Sequence, residues 1–143
     1  MKLITTTLLL LNLSFANASI ISSGKSGKTQ YKLEKVDKLG GVLWGMEFIH
    51  KNLMIFTKRT GEIVTYHLKT KEITKVTGQP KVWAEGQGGL LDVAKSPKFY
   101  LDRTLYFTYS KIVKDGGATT LAKAVFKDGK LTSWKDLLVT KSS

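Results

Sequence analysis

From residue 41 to residue 139 the chain is a succession of short apolar runs broken by turn residues, with no stretch that holds a helical period. Residues 41–49 form the first run, followed by His50-Lys51-Asn52 as a tight turn. The doubly apolar segment 53–57 comes next, then a turn at Lys58-Arg59-Thr60-Gly61, then 63–68. Lys69-Thr70-Lys71 turns the chain again, and 72–76 completes four strands of an antiparallel meander. A second group follows: 89–94, then 104–110 with Leu105, Phe107 and Tyr109 on one face, then 119–126, and after Asp128-Gly129 a last run at 131–139. Trp44 in the first group and Leu90 in the second hold similar places, 46 residues apart. Four strands repeating every ~40–50 residues is the signature of propeller blades. The expected fold is therefore all-β, a β-propeller of which this chain holds about the first two blades. A ring closes only with about four or more blades, so the chain reads as the amino-terminal part of a longer protein.

Ahead of this pattern stand two other segments. Residues 1–18 have one basic residue (Lys2), an apolar centre at Leu8-Leu9-Leu10-Leu11 and a small-residue site at Ala16-Asn17-Ala18. That is the anatomy of a secretory signal peptide, and its apolar core is too short to span a bilayer. A mature chain beginning near Ser19, periplasmic or secreted, is expected. Residues 19–30 read as a flexible Ser/Gly/Lys linker, and 31–36 alternates weakly. Gly24-Lys25-Ser26 and Gly27-Lys28-Thr29 resemble the end of a phosphate-binding loop. The glycine required five positions earlier is Ser19 or Ser22, so neither is one.

The net charge of +12 falls to +11 once Lys2 is removed. Only Arg59 and Arg103 are arginines; every other basic residue is lysine, and they are scattered. Base readout and bidentate phosphate clamps favour arginine. The charge is read as a solvated surface, with no nucleic-acid partner. With no cysteine, neither disulfides nor a thiolate metal site is possible.

Chemistry-bearing residues are few. His50 and His67 lie far from any other histidine or carboxylate at metal-ligand spacing, which points to exposed structural roles. Glu85 and Asp92 do not form an acid/base pair, and Ser110 lacks a histidine partner. Trp44, Trp83 and Trp134 are read as core or blade-interface residues. The stretch that stands out is Glu85-Gly86-Gln87-Gly88-Gly89-Leu90-Leu91-Asp92, a polar amide among three glycines leading into an apolar strand. Glycine permits close backbone approach and positive φ, and an amide both donates and accepts hydrogen bonds. Such a loop is most simply a plain hairpin approach; it could also grip a carbonyl-rich ligand.

Taken together, these stretches resemble the soluble PQQ-dependent glucose/sorbosone (aldose sugar) dehydrogenase family. The matching pieces are Leu43-Trp44-Gly45-Met46-Glu47-Phe48, Phe56-Thr57-Lys58-Arg59-Thr60-Gly61-Glu62-Ile63 and the Glu85–Ala94 stretch. Ser96-Pro97-Lys98-Phe99 and Leu105-Tyr106-Phe107-Thr108-Tyr109-Ser110 follow in the family's order. The resemblance implies a six-bladed propeller, with residues 31–143 its first part. It implies PQQ at the mouth of the channel, calcium holding that cofactor, an aldose as substrate and an external electron acceptor. Gln87 matches the family's cofactor-facing glutamine. The resemblance puts the catalytic histidine base and the calcium ligands downstream, so no catalytic or metal residue is expected in this chain. Two rivals remain at this point: a non-catalytic propeller that binds a glycan or protein partner, and a small basic β-domain binding anionic polymers.

Overall fold

The computed structural model describes residues 19–141. The proposed signal peptide, residues 1–18, lies outside them. Among the described residues no helix is long and apolar enough to cross a membrane. They fall into two units, one ending at Lys38 and the other beginning at Leu39.

The first unit is a hairpin of β1 (Ser19–Ser26) and β2 (Thr29–Lys35), paired antiparallel from Ser26↔Thr29 to Ser19↔Lys35. Residues 19–30, expected as linker, are thus strand and turn. Serine and glycine mask a strand in the sequence because they carry no apolar alternation. Gly24 faces Tyr31 so closely that a Cβ there would meet the phenol oxygen at 2.7 Å. Gly27 turns the chain with φ 58°.

The second unit contains two four-stranded antiparallel sheets, each a meander in sequence order. The first is β3 (Leu43–His50), β4 (Leu53–Lys58), β5 (Ile63–His67) and β6 (Ile73–Val76). The second is β7 (Leu90–Lys95), β8 (Thr104–Val113), β9 (Gly116–Lys127) and β10 (Lys130–Val139). These are the two expected blades, and their first strands, β3 and β7, lie side by side: Gly45 abuts Asp92, and Lys95 reaches Glu47. Trp44 and Leu90 both stand at the start of the first strand of their blade, but Leu90 is in the core and Trp44 is half-buried.

Period-two alternation decides what lies between the sheets. Ile55 and Ile63 join Val76, Leu90, Leu105, Phe107 and Ala122 in one continuous core. The intervening residues of β4 and β5, Met54, Phe56, Val64 and Tyr66, form a second cluster on the other face of the first sheet. That explains why β4 is apolar at four consecutive positions, 53–56: both of its faces are buried. Each fully buried aliphatic side chain contributes about 1.5–3 kcal/mol relative to exposure.

Three local features differ from the expected pattern. The turn at Ser96-Pro97-Lys98 leads into a single helical turn, α1 (Phe99–Asp102), which drops Phe99 into the core. Asp102 organises it: its carboxylate accepts from the Thr104 N–H (2.8 Å) and the Ser96 hydroxyl (2.7 Å). Those two bonds hold the Asp102 carboxyl below its ordinary value, against a smaller opposing effect of burial. Strands β8 and β9 also extend beyond 110 and before 119, pairing out to Val113↔Gly116. Gly116 and Gly117, in the gap between the expected strands, both belong to β9, and the missing side chain at Gly117 leaves room for Trp83. A Cβ on Gly117 would lie 2.4 Å from the Trp83 ring.

Candidate functional site

The two blades are joined at their inner strands by a buried hydroxyl. Thr57, fully buried on β4, accepts from the Gly45 N–H (2.9 Å) and donates to the Leu91 carbonyl (2.8 Å). One side chain thus satisfies a donor on β3 and an acceptor on β7. Glycine is required at position 45, since a Cβ would sit 2.8 Å from the Asp92 Cα and 2.9 Å from the Thr57 hydroxyl. Farther along the same strands, Lys95 of β7 reaches Glu47 of β3 (3.2 Å), and its backbone N–H also donates to that carboxylate.

From this junction the Gly-Gln-Gly-Gly loop is built outward. The chain enters at Val82, bridged to Lys111, and the Trp83 N–H donates to the Ser110 carbonyl (2.8 Å). The Trp83 indole is packed between Gly88 and Gly117, each of which would clash with it if it bore a Cβ. A turn follows, closed by the Gly88 N–H on the Glu85 carbonyl at 2.7 Å. Gly86, at the first central position, has φ 51°, the pattern of a type II′ turn. The chain leaves through Gly89, φ 148°, whose neighbour Leu90 donates its N–H to the Arg59 carbonyl (3.0 Å).

Gln87 stands at the apex of this loop. Its side chain is exposed and makes no hydrogen bond among the described residues. The loop below it is fixed while the amide is left open. The Arg59 guanidinium, from the turn between β4 and β5, donates to the Ala84 carbonyl (2.7 Å) and the Gly86 carbonyl (2.8 Å), and lies 5.9 Å from the Trp44 ring centre. Sequence reasoning passed over Arg59 as a turn residue. The available signal was its being one of only two arginines in a lysine-rich chain.

The other candidates are not brought here. Glu85 is exposed in the same loop, whereas Asp92 turns its carboxylate to the Val93 N–H (2.8 Å) at the blade junction. The two make no acid/base pair. His50 ends β3, and His67 ends β5 with its Nδ1 accepting from the Thr70 N–H (3.2 Å). His67 lines a cleft of about 710 Å³ between the blades, with Leu53 and Glu72 on one side and Arg103 and Phe126 on the other. That cleft adjoins the end of β4 away from Arg59. Among the described residues no three His, Asp or Glu side chains are grouped to hold a metal ion. Trp134 is packed in the second blade, stacked on Phe107 (5.0 Å between centres, 25°) and edge-on to Tyr109.

For a quinone cofactor, the residues present fit one part of the task. An exposed amide in a turn held by backbone hydrogen bonds can serve a carbonyl oxygen. The guanidinium beneath it is occupied by two backbone carbonyls.

Comparison with known proteins agrees with this architecture. The aldose sugar dehydrogenase YliI of Escherichia coli is 38% identical over 78 residues, which cover 54% of this chain and 21% of that protein. The crystal structure of the soluble aldose sugar dehydrogenase of Escherichia coli in its apo-form superposes with a TM-score of 0.65 at 32% identity, covering 69% of this chain and 30% of that one. The PQQ-bound aldose sugar dehydrogenase of Streptomyces coelicolor has the same fold, with a TM-score of 0.67 at 17% identity over 87% of this chain and 34% of that one. This chain spans between about a fifth and a third of the length of these relatives. The Glucose / Sorbosone dehydrogenase family model matches residues 41–143, which take in both blades and the glutamine loop, and the chain belongs to that family.

Proposed function

We propose that this chain supplies the first two blades of an exported PQQ-dependent dehydrogenase that oxidises the anomeric hydroxyl of aldose sugars to lactones. The observation that carries this reading is the exposed Gln87 amide, unpartnered among the described residues, in a turn whose backbone is bonded at Glu85, Ala84 and Gly86. It occupies the segment in which the family resemblance is most specific. When bound, PQQ would supply the two-electron redox chemistry of the oxidation. Gln87 contributes an oriented amide to a quinone oxygen, and the loop contributes its placement. His50 and His67 have no part in proton removal, which falls to a histidine outside this chain, and the calcium ligands likewise lie outside it. An external acceptor takes the electrons onward. Export follows from the signal anatomy of residues 1–18, and a periplasmic or secreted location is part of the proposal.

The test is dye-linked oxidation of a panel of aldoses by the protein in which these blades stand within the complete ring. Activity that appears only on adding PQQ with calcium supports the reading. Sugar binding without turnover, whatever cofactor is added, would transfer the chain to a non-catalytic glycan-binding role.

A further inference from the structure

Arg59 touches the Gln87 loop in two independent ways. Its backbone carbonyl takes the Leu90 N–H where the loop ends, and its guanidinium takes the Ala84 and Gly86 carbonyls where the loop begins. The loop therefore arches around one side chain with Gln87 at its crown. Gly89 allows this approach, because a Cβ there would lie 2.3 Å from the Arg59 carbonyl oxygen. The guanidinium in turn lies 5.9 Å from the Trp44 ring centre, so its orientation is set from β3. Charged donors to backbone carbonyls are the stronger class of hydrogen bond. A planar guanidinium holds two acceptors in fixed relation, where an ammonium is a point charge.

From this geometry we propose that Arg59 is a positioning residue: it pre-orders the Glu85–Gly88 turn so that the Gln87 amide meets its ligand without the entropy loss of loop ordering. The proposal rests on the reading of Gln87 as cofactor-facing. Arg59 itself touches no cofactor. Its contribution appears in affinity, because an unfixed loop must be ordered on binding.

The experiment uses the protein in its complete ring and three variants: Arg59→Ala, Arg59→Lys and Gln87→Ala. PQQ affinity is measured by titration in the absence of sugar. Amide hydrogen exchange is followed at Gly88, whose N–H closes the turn, and at Ile55 and Phe56 in β4. Arg59→Ala should speed exchange at Gly88 about tenfold and weaken PQQ binding by a similar factor, while Ile55 and Phe56 stay protected. Arg59→Lys should retain the thermal midpoint but recover only part of the Gly88 protection. Gln87→Ala should weaken binding and leave Gly88 exchange unchanged. Unchanged Gly88 exchange in Arg59→Ala, or equal loss of protection throughout β4, overturns the positioning role even if Gln87→Ala weakens binding. Unchanged affinity in Gln87→Ala overturns instead the reading of Gln87 on which the proposal rests.

Discussion

Thr57 shows how a single residue can join two sheets. Its hydroxyl is buried, accepts from one strand and donates to another. Thr57→Val keeps the shape and removes both bonds, leaving the Gly45 N–H and the Leu91 carbonyl without that partner. The expected loss is on the order of 1–3 kcal/mol for each orphaned group, read from urea unfolding of the variant beside the parent. A loss below about 0.5 kcal/mol would mean water reaches the junction. Gln87 was legible in the sequence because a lone amide flanked by glycines marks a place where the backbone bends sharply and displays a polar group. Thr57 and Arg59 were not legible. Their partners are backbone carbonyls and amides of residues 12 to 34 positions away, and such pairings leave no trace in composition or periodicity.

Among the elements, β8 and β10 share a polar cluster at the edge of the second blade's core. The Tyr109 hydroxyl donates to Asp136 Oδ1 (2.9 Å), and the Lys111 ammonium donates to Oδ2 (2.7 Å). Burial, reinforced by the bond to Asp136, pushes the Tyr109 phenol from 10.0 up to about 12. A raised value means the folded state favours the protonated phenol. The stabilisation is therefore complete below pH 10 and is lost as the pH rises towards about 12. Tyr109→Phe should remove this contribution to alkaline unfolding, so its midpoint should fall less between about pH 9 and 12 than that of the parent. Equal slopes in the two proteins would show that Tyr109 does not carry the effect. Asp136 behaves oppositely. Burial pushes its carboxyl up, but the Lys111 and Tyr109 bonds outweigh this and hold it low. Its contribution is present above the ordinary carboxylate value and fades as the pH falls through the folded one. Asp136→Asn should flatten the acid limb, and an unchanged limb would contradict the assignment.

The strands from 43 to 139 were legible because each has apolar alternation or a continuous apolar run between turn residues. Where local chemistry and tertiary contact disagreed, the sequence misled. Gly116 and Gly117 pair with Val113 and Ile112 in strand, the bare Gly117 lying against Trp83, and residues 19–26 are strand despite a composition suited to a linker.

At the scale of the molecule, the first blade is apolar on both faces, yet only one is matched by the second blade. Met46 and Phe48, the cross-strand partners of Phe56 and Met54, are 65% and 45% exposed. In a ring of blades such a face meets a neighbour. The blade architecture could be argued from a two-fold repeat in the sequence, and family membership from the motifs threaded through it. The chemistry could not be read to the same depth, because the proposed site rests on the Gln87 amide alone. That amide is therefore the place to measure. PQQ titration of the complete-ring protein and its Gln87→Ala variant, with Gly88 exchange as the control for loop structure, should show binding in the parent and at least about tenfold weaker binding in the variant. Equal affinity in the two proteins, or no PQQ binding by the parent, would contradict the account.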